Sequence, residues 1–246
     1  MAVFILVPGA WHGAWCWEHV VPLLQKAGHQ VMAPELADVP PGANPLPLWA
    51  KQIATMAAAA PEPPILLGHS RGGLILSETA ALLPGKIRKL VYLCGFLLPA
   101  GQSMQSAIAL PEAGDTPDYL RPARGRCLAV TAEAIIPRFY HLAAPEVAKH
   151  AATRLNPEPL GTFSAAATPP PSHIPRAYIE CTEDRVVPIT LQRRMQQALP
   201  CTPVLTLPGD HSPFLSMPEA LVEAALRACA KTLLVTEISQ EISNIN

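Results

Sequence analysis

The sequence predicts an α/β chain whose mostly parallel, doubly wound sheet is interrupted by one helical insertion. Three observations carry this reading. Short apolar runs alternate with helical stripes from residue 2 to residue 97; the rhythm is lost between 98 and 172; it then returns and continues to about residue 234. With 246 residues, half of them apolar, the chain can bury a large single core.

The elements follow in order. Residues 2–7 form an unbroken apolar run stopped by Pro8-Gly9, a strand followed by a turn. Trp17, Val20, Val21 and Leu24 repeat at helical spacing, and residues 30–33 are a second short strand. Trp49, Ile53, Met56 and Ala60 make the next stripe before Pro61, and residues 64–67 are a continuous apolar run of the kind buried in a parallel sheet. Residues 74–83 contain no breaker until Pro84-Gly85 and read as helix, with a strand at 89–94. Within 98–172 helical spacing is weak, near 132–139 and 145–155, among clusters of Pro and Gly. After it come a strand at 176–181, a helix at 191–199, a strand at 204–207 and a closing helix at 218–234. The core is thus expected from 1–97 and 173–235, the insertion from 98–172, and a polar tail, expected to fray, from 236–246.

Composition excludes several functions. Eighteen Lys plus Arg balance 19 Asp plus Glu, which removes the electrostatic case for nucleic acid or an anionic membrane surface. Pro and charged residues break every apolar run before the 18 or so residues of a spanning helix. The apolar start lacks a basic leader, so a cytoplasmic chain is the expectation. Cys16, Cys94, Cys127, Cys181, Cys201 and Cys229 lack disulfide or zinc spacing and read as buried thiols; neither metal nor cofactor is expected.

The chemistry concentrates at three places. Gly68-His69-Ser70-Arg71-Gly72 fits the Gly-x-Ser-x-Gly elbow, which needs small residues on either side of a strained nucleophile, and it lies between a strand and a helix as the elbow requires. A serine hydroxyl needs a base. Among eight histidines, His211 alone lies downstream in a loop leaving a strand on the same sheet edge; the other seven read as solvated or core groups. The acid that holds the imidazole tautomer is expected at Asp184, just past strand 176–181, with Glu183 and Asp210 as rivals. Two backbone N–H donors complete an oxyanion hole: Arg71, after the nucleophile, and Ala10, in the loop after the first strand.

With these residues placed, the chain from Val3 to about residue 234 resembles the α/β-hydrolase superfamily. It is most similar to the branch of plant methylesterases, salicylate-binding esterases and hydroxynitrile lyases with their bacterial esterase relatives. The stretches that carry the resemblance are residues 6–17 (LVPGAWHGAWCW), 68–73 (GHSRGG), Phe139-Tyr140, 178–184 (YIECTED) and 209–211 (GDH). The resemblance implies an α/β-hydrolase fold, a Ser70, Asp184 and His211 triad, Ala10 and Arg71 as oxyanion donors, and residues 98–172 as a cap. Two departures stand out. Pro8 occupies the place where the family usually has a histidine, so the loop must be held by other contacts. Ser212 and Ala10 stand where the lyases carry a lysine and a hydroxyl residue, which disfavours cyanohydrin cleavage.

The expectation is therefore a cofactor-independent serine carboxylesterase acting on small to medium, moderately hydrophobic esters. Trp15, Trp17, Phe139, Tyr140 and Phe214 are candidates for its apolar pocket. The alternatives are a hydroxynitrile lyase-like C–C lyase and a hydrolase-like receptor for a small ligand. A homodimer is compatible with this reading.

Overall fold

The computed structural model describes residues 1–114 and 118–230. Val3–Val7 (β1) is five consecutive buried apolar residues, the pattern of a strand covered on both faces. Val20–Lys26 (α1) leads to Gln30–Met32 (β2), and Leu46–Ala59 (α2) to Ile65–His69 (β3). Gly72–Leu82 (α3) connects to Lys89–Leu93 (β4). There the chain leaves the sheet. It passes through Met104–Ile108 (α4), Leu120–Ala123 (β5), Cys127–Val130 (β6), Ala132–Phe139 (α5), Pro145–Ala152 (α6), Glu158–Pro159 (β7) and Gly161–Ser164 (α7). It returns at Arg176–Cys181 (β8), then runs through Ile189–Ala198 (α8), Val204–Leu207 (β9), Pro213–Ser216 (α9) and Pro218–Cys229 (α10).

The main sheet has the order β2-β1-β3-β4-β8-β9, and every pairing is parallel. From β1 the chain steps one way to β2; the later strands build outward on the other side. Right-handed crossovers therefore place α1 on one face and α2 and α3 on the opposite one. Packing agrees: α1 rests on α10, and α2 on α3. The strand order reverses between β1 and β3, so the crevice at their carboxyl ends is where an open α/β sheet binds ligands.

Every strand expected in the core is present, with ends moved by no more than two residues. The insertion differs from expectation. It carries helices, but also a three-stranded antiparallel sheet, β5-β6-β7, where a helical cap was expected. The reason is physical: β5 and β6 are only four residues long and at most half-buried, so neither shows a clean apolar alternation. Pro122 sits in β5, an edge strand, where a missing N–H is tolerated. Cys127 and Cys229 are half-buried, against the expectation that all six thiols are buried. Among the described residues no helix is long and apolar enough to cross a membrane. The closing helix expected to reach residue 234 ends at Cys229, and the frayed tail expected at 236–246 lies outside the described residues.

Candidate active site

Ser70 follows β3 at the strand-order reversal with φ of 51°, a left-handed conformation that only strong local restraint keeps for a non-glycine residue. The restraint is visible. Ser70 N–H donates to the Leu93 carbonyl at 3.1 Å, and its own carbonyl accepts from Phe96 and Gly73 at 2.9 and 3.0 Å. A Cβ on Gly68 would stand 2.8 Å from the Gly72 carbonyl carbon, and one on Gly72 would stand 2.8 Å from the Val7 oxygen. The two glycines of the motif thus permit the close approach of β3, α3 and the end of β1. Gly73 is tighter still, 2.4 Å from the Phe96 oxygen.

Asp184 and His211 come from loops at the same sheet edge, after β8 and β9. His211 Nδ1 lies 2.7 Å from Asp184 Oδ2, and both groups are buried. Asp184 Oδ1 accepts the N–H groups of Val186 and Val187, each at 2.8 Å, so the carboxylate is pinned by one oxygen and faces the imidazole with the other. Gln192, fully buried in α8, braces this loop by bonding Cys181 at both its N–H and carbonyl, at 3.0 Å each, and the Val187 carbonyl at 2.7 Å. The rivals do other work. Glu183 is exposed, and Asp210 accepts from Ser212 N–H, Ser216 Oγ and Leu142 N–H, which ties the histidine loop to the insertion.

Strands β4 and β8 separate β9 from β3, so the His211 loop must fold back to reach the elbow. It does so: His69 Nε2, next to Ser70 in sequence, donates to the His211 carbonyl at 2.7 Å. That bond fixes the His69 proton on Nε2. Nδ1 of His211 donates to Asp184, which leaves its Nε2 to take a proton.

The loop after β1 is held at every turn. Gly9 carbonyl accepts from Arg71 Nη2 at 2.9 Å, the Ala10 carbonyl from His12 Nδ1 at 2.8 Å, and the Trp11 carbonyl from Asn156 N–H at 2.9 Å. Trp11, itself left-handed at φ 65°, sends its N–H to Glu158. Among the described residues the N–H groups of Ala10 and Arg71 have no acceptor. Two unpaired donors therefore stand at the elbow in a buried setting.

The aromatic candidates divide. Phe139, at the end of α5, packs edge-on to the His211 ring, and Phe214 packs on His69; Tyr140 donates its hydroxyl to His12 Nε2 at 2.8 Å. Trp15 lies over His12 and under the Arg154 guanidinium. Trp17 is one layer deeper, fully buried against Phe214. His69, Cys94 and His211 hold candidate metal-ligand atoms within 4.8 Å of one another. Burial pushes the Cys94 thiol well above its usual range, away from the thiolate that binds metal, and His211 Nδ1 is committed to Asp184.

His12, His69, Gln192 and Glu158 were not singled out by sequence. The two histidines are buried and neutral: burial lowers His12 to about 3 and His69 well below 6.5. His12 needs the neutral form because its Nε2 accepts from Tyr140 while Nδ1 donates, and burial alone keeps the His69 ring uncharged. The unfolded chain binds protons at both below pH 6.5, the folded chain does not, so stability is lost as pH falls through that value. From pH 7.5 to pH 5 the loss is about 2 kcal/mol for His12, and His69 shifts stability in the same direction. Urea unfolding at the two pH values measures it. His12→Gln should remove about 2 kcal/mol of the dependence, and an unchanged dependence would contradict the assignment.

Comparison with known proteins places the chain in a family and a fold. A pyrethroid hydrolase of Sphingobium wenxiniae is 34% identical over 241 residues, covering 89% of this chain and 85% of that protein. A putative chloroplastic methylesterase 11 of Arabidopsis thaliana is 29% identical over 243 residues, covering 89% of this chain; the match spans only 61% of that longer protein. The crystal structure of a pyrethroid hydrolase from Sphingobium faniae JZ-2 superposes with a TM-score of 0.81 at 31% identity, covering 95% of this chain and 99% of the other. The family described as the alpha/beta hydrolase family matches residues 4–224, and the chain belongs to it.

Proposed function

We propose that the protein is a serine carboxylesterase with Ser70 as nucleophile, His211 as general base and Asp184 as the orienting acid. The observation that carries this is the Asp184–His211 pair, which the His69 bond draws back onto a left-handed serine elbow. Esterase relatives support the reaction class: one is a pyrethroid hydrolase and another a putative methylesterase.

In the proposed reaction His211 Nε2 takes the Ser70 proton as Oγ attacks the ester carbonyl. The tetrahedral oxyanion receives the Ala10 and Arg71 N–H groups, which have no competing acceptor among the described residues. The imidazolium, held by Asp184, returns the proton to the departing alkoxide. Water, deprotonated by the same nitrogen, then cleaves the acyl-Ser70 ester. Protons balance because the Ser70 proton leaves with the alcohol and the proton taken from water passes from His211 to Ser70 Oγ as the acid departs, so no cofactor is required.

Residues 98–172 act as a cap in this reading. Ser70 is 3% exposed and His211 1%, the latter packed against Phe139, so the acyl group is expected to lie near Phe139, its neighbour Tyr140 and Phe214. An apolar, closed site favours small to medium, moderately hydrophobic esters. A p-nitrophenyl ester series from acetate to palmitate tests this, with mandelonitrile alongside. Turnover is expected to peak at short or medium chains. Cleavage of mandelonitrile without ester turnover would make the protein a lyase, and cleavage of neither would make it a receptor.

A further inference from the structure

One buried ion pair reaches both flanks of the Ala10 peptide. Arg71 is 2% exposed and Glu158 3%. Their side chains meet at 3.1 Å between Nε and Oε1, an ion pair that lacks hydrogen-bond alignment, and at 3.5 Å between Nη2 and Oε2. The better aligned bonds go elsewhere. Arg71 Nη2 donates to the Gly9 carbonyl at 2.9 Å, before Ala10, and Glu158 Oε2 accepts Trp11 N–H at 3.3 Å, after it. The guanidinium plane is set by Trp49, whose ring centroid lies 4.3 Å away.

Such a pair is not explained by stability, because buried ion pairs are often no better than apolar packing of the same volume. What it does uniquely is hold shape. Trp11 is a bulky residue in the left-handed region, a conformation that persists only where its surroundings over-determine it. The two bonds to its peptide groups, from Glu158 and Asn156, both come from the insertion. Arg71 belongs to the elbow, Gly9 and Trp11 to the loop after β1, and Glu158 to β7, so the ion pair joins three segments around one N–H.

We propose that the Arg71 guanidinium and the Glu158 carboxylate are positioning residues that clamp the loop after β1 so that Ala10 N–H points at the reacting carbonyl. The Arg71 side chain thus acts apart from its own backbone N–H. The inference rests on the serine esterase reading above and adds to it a contribution from the insertion to transition-state stabilisation. Neither side chain touches substrate. The clamp acts through a donor, and a donor displaced by a fraction of an ångström is felt in the transition state more than in substrate binding.

The test compares Glu158→Gln, Glu158→Ala and Arg71→Lys with the wild type on p-nitrophenyl butyrate, with kcat normalised to sites titrated by a fluorophosphonate and with Ser70→Ala as the blank. It also compares inhibition by an alkyl trifluoromethyl ketone, which forms an oxyanion on Ser70, with inhibition by the unreactive methyl ketone of the same chain. Glu158→Ala is expected to lower kcat about 10²-fold with KM changed less than about threefold. Glu158→Gln keeps an oxygen for Trp11 N–H but loses the ion pair, and is expected to lose about tenfold, as is Arg71→Lys. Trifluoromethyl ketone affinity should weaken in step with kcat while methyl ketone affinity stays constant. If Glu158→Ala does not fold, Glu158→Gln decides. The clamp is overturned if kcat per titrated site stays within about twofold of wild type, or if both ketones weaken alike, which is what general loss of structure produces. Ser70-dependent turnover with a normal Glu158→Gln removes the clamp alone; a wild type without Ser70-dependent turnover removes the esterase reading and the clamp with it.

Discussion

Ser70→Ala lowers ester turnover about 10⁶-fold while leaving the fold intact. The large effect follows because Ser70 Oγ is the atom that forms the covalent bond, and nothing else at the elbow can replace it. His69 has one nitrogen bound to the His211 carbonyl and is held neutral by burial, and the Cys94 thiol is pushed well above its usual range. The fold survives because the elbow is restrained by the backbone bonds of residue 70, not by its hydroxyl. Removing Oγ leaves the Leu93, Phe96 and Gly73 bonds in place. The thermal midpoint should move by no more than a few degrees, and kcat should fall to the level left by the oxyanion donors and binding. Turnover within tenfold of wild type would remove Ser70 from the mechanism.

Asp184→Asn should lower kcat about 10⁴-fold with little change in KM. The geometry explains why such a conservative change is so costly. Oδ1 accepts two backbone N–H groups, so an asparagine places its own oxygen there and turns its amide N–H toward His211 Nδ1. The imidazole can then only accept at Nδ1. Its proton moves to Nε2, the nitrogen that must take the Ser70 proton, and the base is lost without loss of packing. Asp184→Ala should cost as much in turnover but also destabilise the fold, because the Val186 and Val187 N–H groups lose their acceptor in a buried place. Equal stability of the two variants would argue against the pinned carboxylate.

Much of the core was legible in the sequence because parallel strands buried on both faces leave continuous apolar runs. Residues 65–67 and 90–93 are such runs, and the structure pairs their strands in register as neighbours. The glycines of the 68–72 motif were legible for another reason: close backbone approach leaves a chemical trace that a short pattern preserves. Asp184 could be ranked by its place after a strand, and Asp210 set lower because it adjoins His211; the bonds each makes support that ranking.

The rest was hidden for physical reasons. The strands of the insertion are short and half-exposed, so their pattern carries no period-2 signal. Glu158 reads as one acid in a Pro-rich stretch, 87 positions from Arg71, and nothing local marks the ion pair across that separation. The same holds for His12, whose partners are a neighbouring carbonyl and a tyrosine 128 residues away. A clue did exist in Pro8, which stands where the resemblance would lead one to expect a histidine and so leaves other groups to hold the loop. The structure assigns those contacts to Arg71, His12, Glu158 and Asn156.

The central claim is a covalent acyl-enzyme on Ser70, and acid quenching during turnover of p-nitrophenyl acetate, followed by peptide mass mapping, tests it most directly. The account predicts one acetyl group on the peptide that contains Ser70, absent from Ser70→Ala and accumulating in Asp184→Asn only at its slowed rate. Steady turnover with no acetyl on that peptide, or an acetyl group carried by another residue, would contradict it.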